Sequence, residues 1–352
     1  MKSKNRLQSN FFKTFICFIF ILFIFTSCNT KSKKSPKYLV VKSDGAADYV
    51  VAKKGIGSKH YIEVLDEDMK LISKDNIKLN MPFRDTLIDE KDKKLYCFGY
   101  GFGVIDIEKK CFEPIDKYIT KDKTNFIDNV VKKNNKIYYT TNEGVKNTLQ
   151  KKWYKARLVS TDDKIDIDVG QSIKNIFTIQ DEIYLHVLGF KDAKLLKYNK
   201  DVNDFEEVIN TFTKSSFTRY FSFKDKLYKM GYNRNFPYEI EDFDGNRYNM
   251  FFEDGKLFND IYCSISFHEY KDELYIRISP DDKNKSYGLY KISIKGEKFI
   301  LKNITPKGFL YTFYNDCVSF YDHHGLYLYD LKTGKLITEI KDKNSLIILK
   351  LD

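Results

Sequence analysis

Along most of the chain, short apolar or aromatic runs alternate with clusters of a few polar residues, and the run Leu274-Tyr275-Ile276-Arg277-Ile278 behind Lys271-Asp272-Glu273 is typical. Short runs rich in β-branched and aromatic residues and bounded by turn-type residues predict strands. The phrase "polar pair, then Leu-Tyr or Ile-Tyr" recurs at Tyr96, Tyr138, Tyr184, Tyr228 and Tyr275, with a looser copy at Tyr49 and a worn one at Val318. Consecutive markers lie 42 to 47 residues apart. That period, built from short strands, is the one a four-stranded propeller blade requires.

A second strand-like run precedes each marker, as in Ile176-Phe177-Thr178-Ile179, Tyr220-Phe221-Ser222-Phe223 and Cys263-Ser264-Ile265-Ser266-Phe267. Each unit therefore opens as a tight hairpin. A second hairpin follows: Gly288 to Ile294 with Lys298-Phe299-Ile300, Gly325 to Leu331 with Lys335-Leu336-Ile337, Gly103 to Ile107 with Cys111-Phe112, and Leu195 to Tyr198 with Phe205. In Leu274-Tyr275-Ile276 both faces of the strand are apolar or aromatic, which predicts a sheet covered on both sides. The fold expected is all-β: one β-propeller over residues 38–352, with seven four-stranded blades and a range of six to eight. The run Ser345 to Leu351 is left over beyond the last hairpin, and ring closure with sheet near the other end is its expected use.

The start of the chain follows a different pattern. A basic, polar stretch to Thr14 is followed by an apolar run from Phe15 to Phe25 and then by Thr26-Ser27-Cys28. This is the layout of a secretory signal peptide over residues 1–27, with an apolar run too short to span a bilayer. Thr26-Ser27-Cys28 resembles the lipobox of bacterial lipoproteins, with Phe25 where that motif usually has Leu. In that family the cysteine receives a diacylglyceryl group, the chain is cleaved before it, and the new amino terminus is usually acylated. The resemblance implies that Cys28 is the lipid attachment site. It further implies that residues 28–37 are a flexible tether and that the protein sits membrane-anchored in a bacterial cell envelope, facing the periplasm or the exterior.

The net charge of +11 changes the picture less than its size suggests. Lys2, Lys4, Arg6 and Lys13 fall in the leader and Lys31, Lys33, Lys34 and Lys37 in the tether. The small remainder is spread among mixed charges, so no basic face for nucleic acid is expected. The 29 Phe and 26 Tyr suit packed sheet faces.

Candidate chemistry is sparse. Cys97, Cys111, Cys263 and Cys317 match no metal spacing and read as free thiols, Cys97 and Cys111 lying on non-adjacent strands of one blade. His323-His324 lacks further ligands nominated by spacing, so no metal is assigned. Asp242-Phe243-Asp244-Gly245-Asn246 begins like a calcium loop but lacks the helix that should follow, and reads as a turn. Ser160-Thr161-Asp162-Asp163 lacks the Gly and Trp of a sialidase Asp-box. The run Leu326 to Leu336 resembles the repeat of quinoprotein-like propellers. Dehydrogenases of that class stack their cofactor on Trp, and this chain has only Trp153, so the resemblance implies the scaffold without the cofactor. The layout is also similar to the propeller lipoprotein of the outer-membrane barrel-assembly machinery.

Two functions are expected from this reading. The first is a non-enzymatic, lipid-anchored binding or scaffold module for a protein or glycan, with no catalytic residue assigned. The second is an envelope hydrolase or lyase acting on carbohydrate with its site at the mouth of the propeller channel, which predicts several carboxylates or histidines, such as His186, His268 and His323, within reach of one another.

Overall fold

The computed structural model describes residues 35–44, 59–77, 83–99, 101–115, 125–144, 154–162, 164–170, 172–180, 182–188, 193–208, 219–233, 236–259, 263–280, 288–306, 308–322 and 324–352. The expected signal peptide, Cys28, Tyr49, Trp153 and His323 lie outside them.

The strands follow the predicted order. The first sheet takes β1 (Tyr38–Ser43), β2 (His60–Leu65) and β3 (Leu71–Ile77), and the second is β4 (Phe83–Asp89), β5 (Lys94–Gly99), β6 (Phe102–Asp106) and β7 (Cys111–Pro114). The third is β8 (Asn125–Lys133), β9 (Lys136–Gly144), β10 (Tyr154–Ser160) and β11 (Asp166–Asp168), and the fourth β12 (Ser172–Ile179), β13 (Glu182–Leu188), β14 (Ala193–Asn199) and β15 (Asp204–Glu207). The fifth is β16 (Arg219–Phe223), β17 (Lys226–Asn233), β18 (Phe236–Asp242) and β19 (Arg247–Phe252), and the sixth β20 (Cys263–Tyr270), β21 (Glu273–Pro280), β22 (Leu289–Lys295) and β23 (Lys298–Thr305). The seventh is β24 (Phe309–Tyr314), β25 (Cys317–Tyr321), β26 (Leu326–Asp330) and β27 (Leu336–Ile340), after which β28 (Ser345–Lys350) returns to the first. Each sheet is an antiparallel meander in chain order except the first, whose order is β28-β1-β2-β3. These are seven four-stranded blades of a propeller.

The turn of the first hairpin explains the polar pair in the repeat. Asn134 and Asn135, Lys224 and Asp225, Lys271 and Asp272, and Asn315 and Asp316 all have φ between 49 and 60°. Two consecutive left-handed residues make a type I′ turn, whose twist matches that of the flanking strands, and Asn and Asp are the residues other than glycine that adopt it most readily.

The alternation inside the second strand assigns each side chain to a different neighbour. In β21, Leu274, Ile276 and Ile278 join the core shared with blade five, whereas Tyr275 joins the core shared with blade seven. In β9, Ile137 and Tyr139 face blade two and Tyr138 faces blade four. In β25, Val318 and Phe320 face blade six while Cys317 and Tyr321 face the first blade. The cores thus run from blade to blade around the ring, as the apolar character of both faces predicted.

Closure corrects one sequence assignment. The copy marked at Tyr49 implied that the first blade repeats the local hairpin of the others. The second-strand position in that blade is instead held by Tyr38–Ser43, because β28 takes the innermost place beside it, with Leu39 opposite Leu349 and Val41 opposite Ile347. A hairpin made of the chain's two ends needs no turn, so that blade lacks the polar pair that marks the others. A feature not foreseen joins blades five and six: β19 pairs in parallel with β23, from Asn249↔Lys298 to Phe252↔Leu301, giving one eight-stranded sheet. The pairing covers two outer edges that would otherwise be open.

Candidate functional site

The first strands of blades two to seven line a cavity of about 850 Å³, and among the described residues the first blade contributes none of its walls. The reason is visible at the seam. The inner strands of blades two and seven touch directly, with Thr86 Oγ1 3.0 Å from Thr312 Oγ1. The strand β28 sits behind them, and Leu346, Ile347, Ile348 and Leu349 are all buried in the core shared by blades one, two and seven.

The polar wall of the cavity comes from one repeated position. Four residues before the pair that closes the first hairpin stand Asp85, Asn129, Asn175, Arg219 and Ser266 in blades two to six, and all five line the cavity. Blade seven has Leu310 there, which is buried. In blades two, three and four the pairing register shifts just before this residue, between Phe83 and Asp85, Ile127 and Asn129, and Ile173 and Asn175. A bulge breaks the ladder and re-aims the next side chain, which suits a residue serving a lumen instead of a blade interface. Asp85 Oδ1 accepts from the Thr86 amide at 2.8 Å and Asn175 Oδ1 accepts from the Ile176 amide at 2.9 Å, the same local bond in equivalent places. Asn129 donates to Thr140 Oγ1 at 3.3 Å, and Arg219 donates to the Ile265 carbonyl.

Aromatic faces complete the walls. Phe221 and Phe267, from blades five and six, stack with centroids 3.8 Å apart and an interplanar angle of 12°. Phe177, Tyr220, Tyr311 and Phe313 also line the space.

Two of the three histidines named from sequence face this cavity from different blades, His186 from blade four and His268 from blade six. His186 and His268 both line the cavity. Burial lowers the pKa of each to about 4, aided by Lys174 and Arg219 at His186 and by Arg277 at His268. Both imidazoles are therefore neutral at neutral pH. His268 Nε2 lies 3.1 Å from Ser266 Oγ. His186 is 4 % exposed, its ring meets Tyr220 edge-on at 5.0 Å, and its Nε2 has no hydrogen-bond partner. Burial raises Asp85 to about 6, against the opposing pull of the Thr86 amide and Arg277. Asp85 is half-buried and lines the lumen. Burial also raises Glu269.

At the turn end a clasp draws blades two, six and seven together. Tyr270 Oη donates to Glu90, the Asn315 amide donates to Glu90 Oε1 at 2.6 Å, and the Asp316 amide donates to Tyr270 Oη at 3.1 Å. Lys271 bridges Glu90 Oε2 at 3.1 Å and Asp316 Oδ1 at 2.8 Å, and Lys332 holds the other Asp316 oxygen at 2.8 Å. Lys271 and then Lys332 hold the Asp316 carboxyl down at about 2.

The other sequence candidates stay apart from this site. Asp242 is buried and its carboxylate takes the Asp244 and Asn246 amides, the Asn246 side chain and the Tyr248 hydroxyl, so its oxygens are occupied by a turn. Asp162 accepts from Ser160 Oγ at 2.6 Å and pairs with Lys136 at 2.8 Å at a surface turn. His324 is exposed, and its amide donates to Asp322 Oδ1 at 2.7 Å. Cys97 and Cys317 are buried free thiols and Cys111 a half-buried one. Among the described residues no group of three or more His, Cys, Asp or Glu is placed to hold a metal ion. Asp85, Asn129, Asn175, Arg219 and Ser266 escaped the sequence reading. Their constant distance from the hairpin turn was the signal that could have found them.

No family model matches the chain, and no curated protein matches it in sequence. Among solved structures, the major allergen Mala s 1 of Malassezia sympodialis superposes with a TM-score of 0.46 and 11% identity, covering 77% of this chain and 92% of that one. The dihydro-heme d1 dehydrogenase NirN, in complex with DHE, gives 0.42 and 9%, over 89% and 68% of the two chains. The computationally designed protein Ika8 gives 0.41 and 9%, over 82% and 85%. Superpositions this loose carry no argument, and the fold stands on the chain's own sheets.

Proposed function

We propose that the protein is a lipid-anchored, non-enzymatic binding module of a bacterial cell envelope. In this reading Cys28 carries the lipid, residues 29–37 hold the ring off the membrane, and the cavity takes part of a protein or glycan partner. The observation that supports it is the belt of Asp85, Asn129, Asn175, Arg219 and Ser266 set among aromatic faces in one cavity of about 850 Å³. Polar groups converging from several strands on one concave space of this size are a feature of ligand sites. The test is crosslinking in intact envelopes followed by purification in mild detergent. A protein or glycan recovered in stoichiometric amount is expected; recovery of the chain alone under all conditions counts against the reading. Cys28→Ala is expected to leave the protein unprocessed or to release it from membranes, and unchanged membrane partitioning defeats the anchor.

One observation favours the hydrolase reading as second choice. Asp85, held at about 6, shares the cavity with His268, and Arg277 acts on both. A carboxyl whose pKa burial raises towards neutrality is the kind of general acid that glycoside cleavage needs. Turnover of an envelope glycan that disappears in Asp85→Asn supports this second reading; binding without turnover leaves the first.

A further inference from the structure

We propose that Ser266 and His268 form a nucleophile and general base that cleave a carboxylic ester of a small polar alcohol held in the lumen. The inference goes beyond both readings above, because neither contains this reaction.

Ser266 is the member of the belt in blade six, and of the five belt side chains it alone carries a hydroxyl. Its Oγ lies 3.1 Å from His268 Nε2, within the reach that lets a base take a hydroxyl proton. The two residues alternate with Phe267 along β20, so both project from the same face of the strand. That face is turned to blade seven, where the His268 and Phe313 ring centroids are 5.9 Å apart. Both residues are half-buried and line the lumen, unlike His186, whose Nε2 is enclosed. Burial and Arg277 keep the His268 imidazole neutral at neutral pH, so Nε2 is able to accept a proton.

The backbone supplies a donor for the oxyanion. The hairpin of β20 and β21 closes at Tyr270↔Glu273, and from there hydrogen-bonded and non-hydrogen-bonded pairs alternate. Ser266↔Arg277 is thus a hydrogen-bonded pair, and Phe267↔Ile276 is not. β20 is the end strand of its sheet, so the Phe267 amide points off that edge towards the lumen. The equivalent pair Ile265↔Ile278 shows the same phase. The Ile278 amide donates to the Gly288 carbonyl at 2.9 Å, away from β20, and the Ile265 carbonyl accepts from Arg219 of blade five. An amide aimed at the lumen directly after the nucleophile is placed to donate to an oxyanion.

In the reaction, Ser266 Oγ attacks the ester carbonyl carbon and its proton passes to His268 Nε2, while the Phe267 amide holds the oxyanion. The bond from carbon to the alcohol oxygen then breaks, and the Nε2 proton leaves with the alcohol. Water attacks the acyl carbon and gives a proton to His268, which returns it to Oγ as the Oγ–carbon bond breaks and the acid is released. The low basicity of His268 limits the pair to reactive carbonyls, which selects an ester over an amide. Asp85, Asn129 and Asn175, half-buried around the same lumen, can donate to and accept from the hydroxyls of a polar alcohol.

The test treats the full chain in mild detergent with a fluorophosphonate and, separately, with 4-nitrophenyl acetate. The fluorophosphonate is expected to leave a single adduct, which peptide mapping places on Ser266. The acetate is expected to give a burst of nitrophenolate followed by slower turnover. Ser266→Ala is expected to abolish the adduct. Ser266→Ala and His268→Asn are each expected to lower turnover about 100-fold or more, as loss of a nucleophile or a general base does, with unchanged thermal unfolding as the control. No adduct, an adduct on another residue, or turnover retained in Ser266→Ala overturns the proposal, and mapping on the wild-type chain decides even where a variant unfolds. A partner crosslinked to a chain that takes no adduct leaves the binding-module reading standing without this activity. An adduct on Ser266 in a chain that captures no partner does the reverse.

Discussion

At the scale of single residues, the glycines that open the second hairpin carry a steric meaning. A Cβ on Gly288 would meet the Thr305 carbonyl oxygen, one on Gly103 the Phe112 ring, and one on Gly325 the Ile340 carbonyl oxygen. The third and fourth strands of these blades approach too closely there for any side chain. Gly288→Ala is expected to cost about 2 kcal/mol or more, because the obstacle is backbone and cannot rotate away. Denaturant titration reads this as a lower midpoint with an unchanged slope. Asp85 gives a pH-dependent case. Its folded pKa of about 6 lies above the ordinary carboxylate value, so its contribution is favourable at low pH and is lost as pH rises through about 6. Asp85→Asn should therefore raise Tm relative to wild type above pH 6, and the gap should shrink as pH falls towards 4. A gap that grows on acidification contradicts the assigned environment.

At the scale of elements, the second strand of each blade is the unit that stabilises the ring, since its two faces feed two different cores. Tyr275 is 3 % exposed and meets Phe313 at a centroid distance of 5.1 Å across the interface of blades six and seven. Tyr275→Ala is expected to destabilise by about 3–5 kcal/mol, as large buried aromatic truncations do. A loss below about 0.5 kcal/mol would place the ring at the surface instead. These strands were legible in the sequence because each carries its own turn, and Asn134-Asn135 or Lys271-Asp272 announces the hairpin regardless of what packs on it. The parallel joint of β19 and β23 was not legible, because it forms between outer strands far apart in sequence with no turn between them.

At the scale of the whole molecule, stability depends on a closure made by the last strand. β28 is buried along Ser345 to Leu349 and fills the seam behind blades two and seven. Truncation before Ser345 would strip the inner partner from β1 and leave an apolar edge, which favours aggregation. The truncated chain is expected to lose its cooperative thermal transition and to elute as large species on size exclusion. A monomeric, cooperatively folding product would show that the other blades suffice. The same closure sets the shape of the cavity, because pushing the first blade outward lets Thr86 reach Thr312 and leaves six inner strands around the lumen.

The sequence by itself determined the blade, its period and its type I′ turns, because these rest on local alternation and on residues that tolerate left-handed backbone. It also placed His186 and His268 as candidates, though it could not say that they line one cavity. Only the tertiary structure decided which strands meet at the seam and that Asp85, Asn129, Asn175, Arg219 and Ser266 form one belt. Those residues come from five blades, and what makes them a site is their common height along the ring. That height is a property of closure, whereas a sequence records only neighbours along the chain.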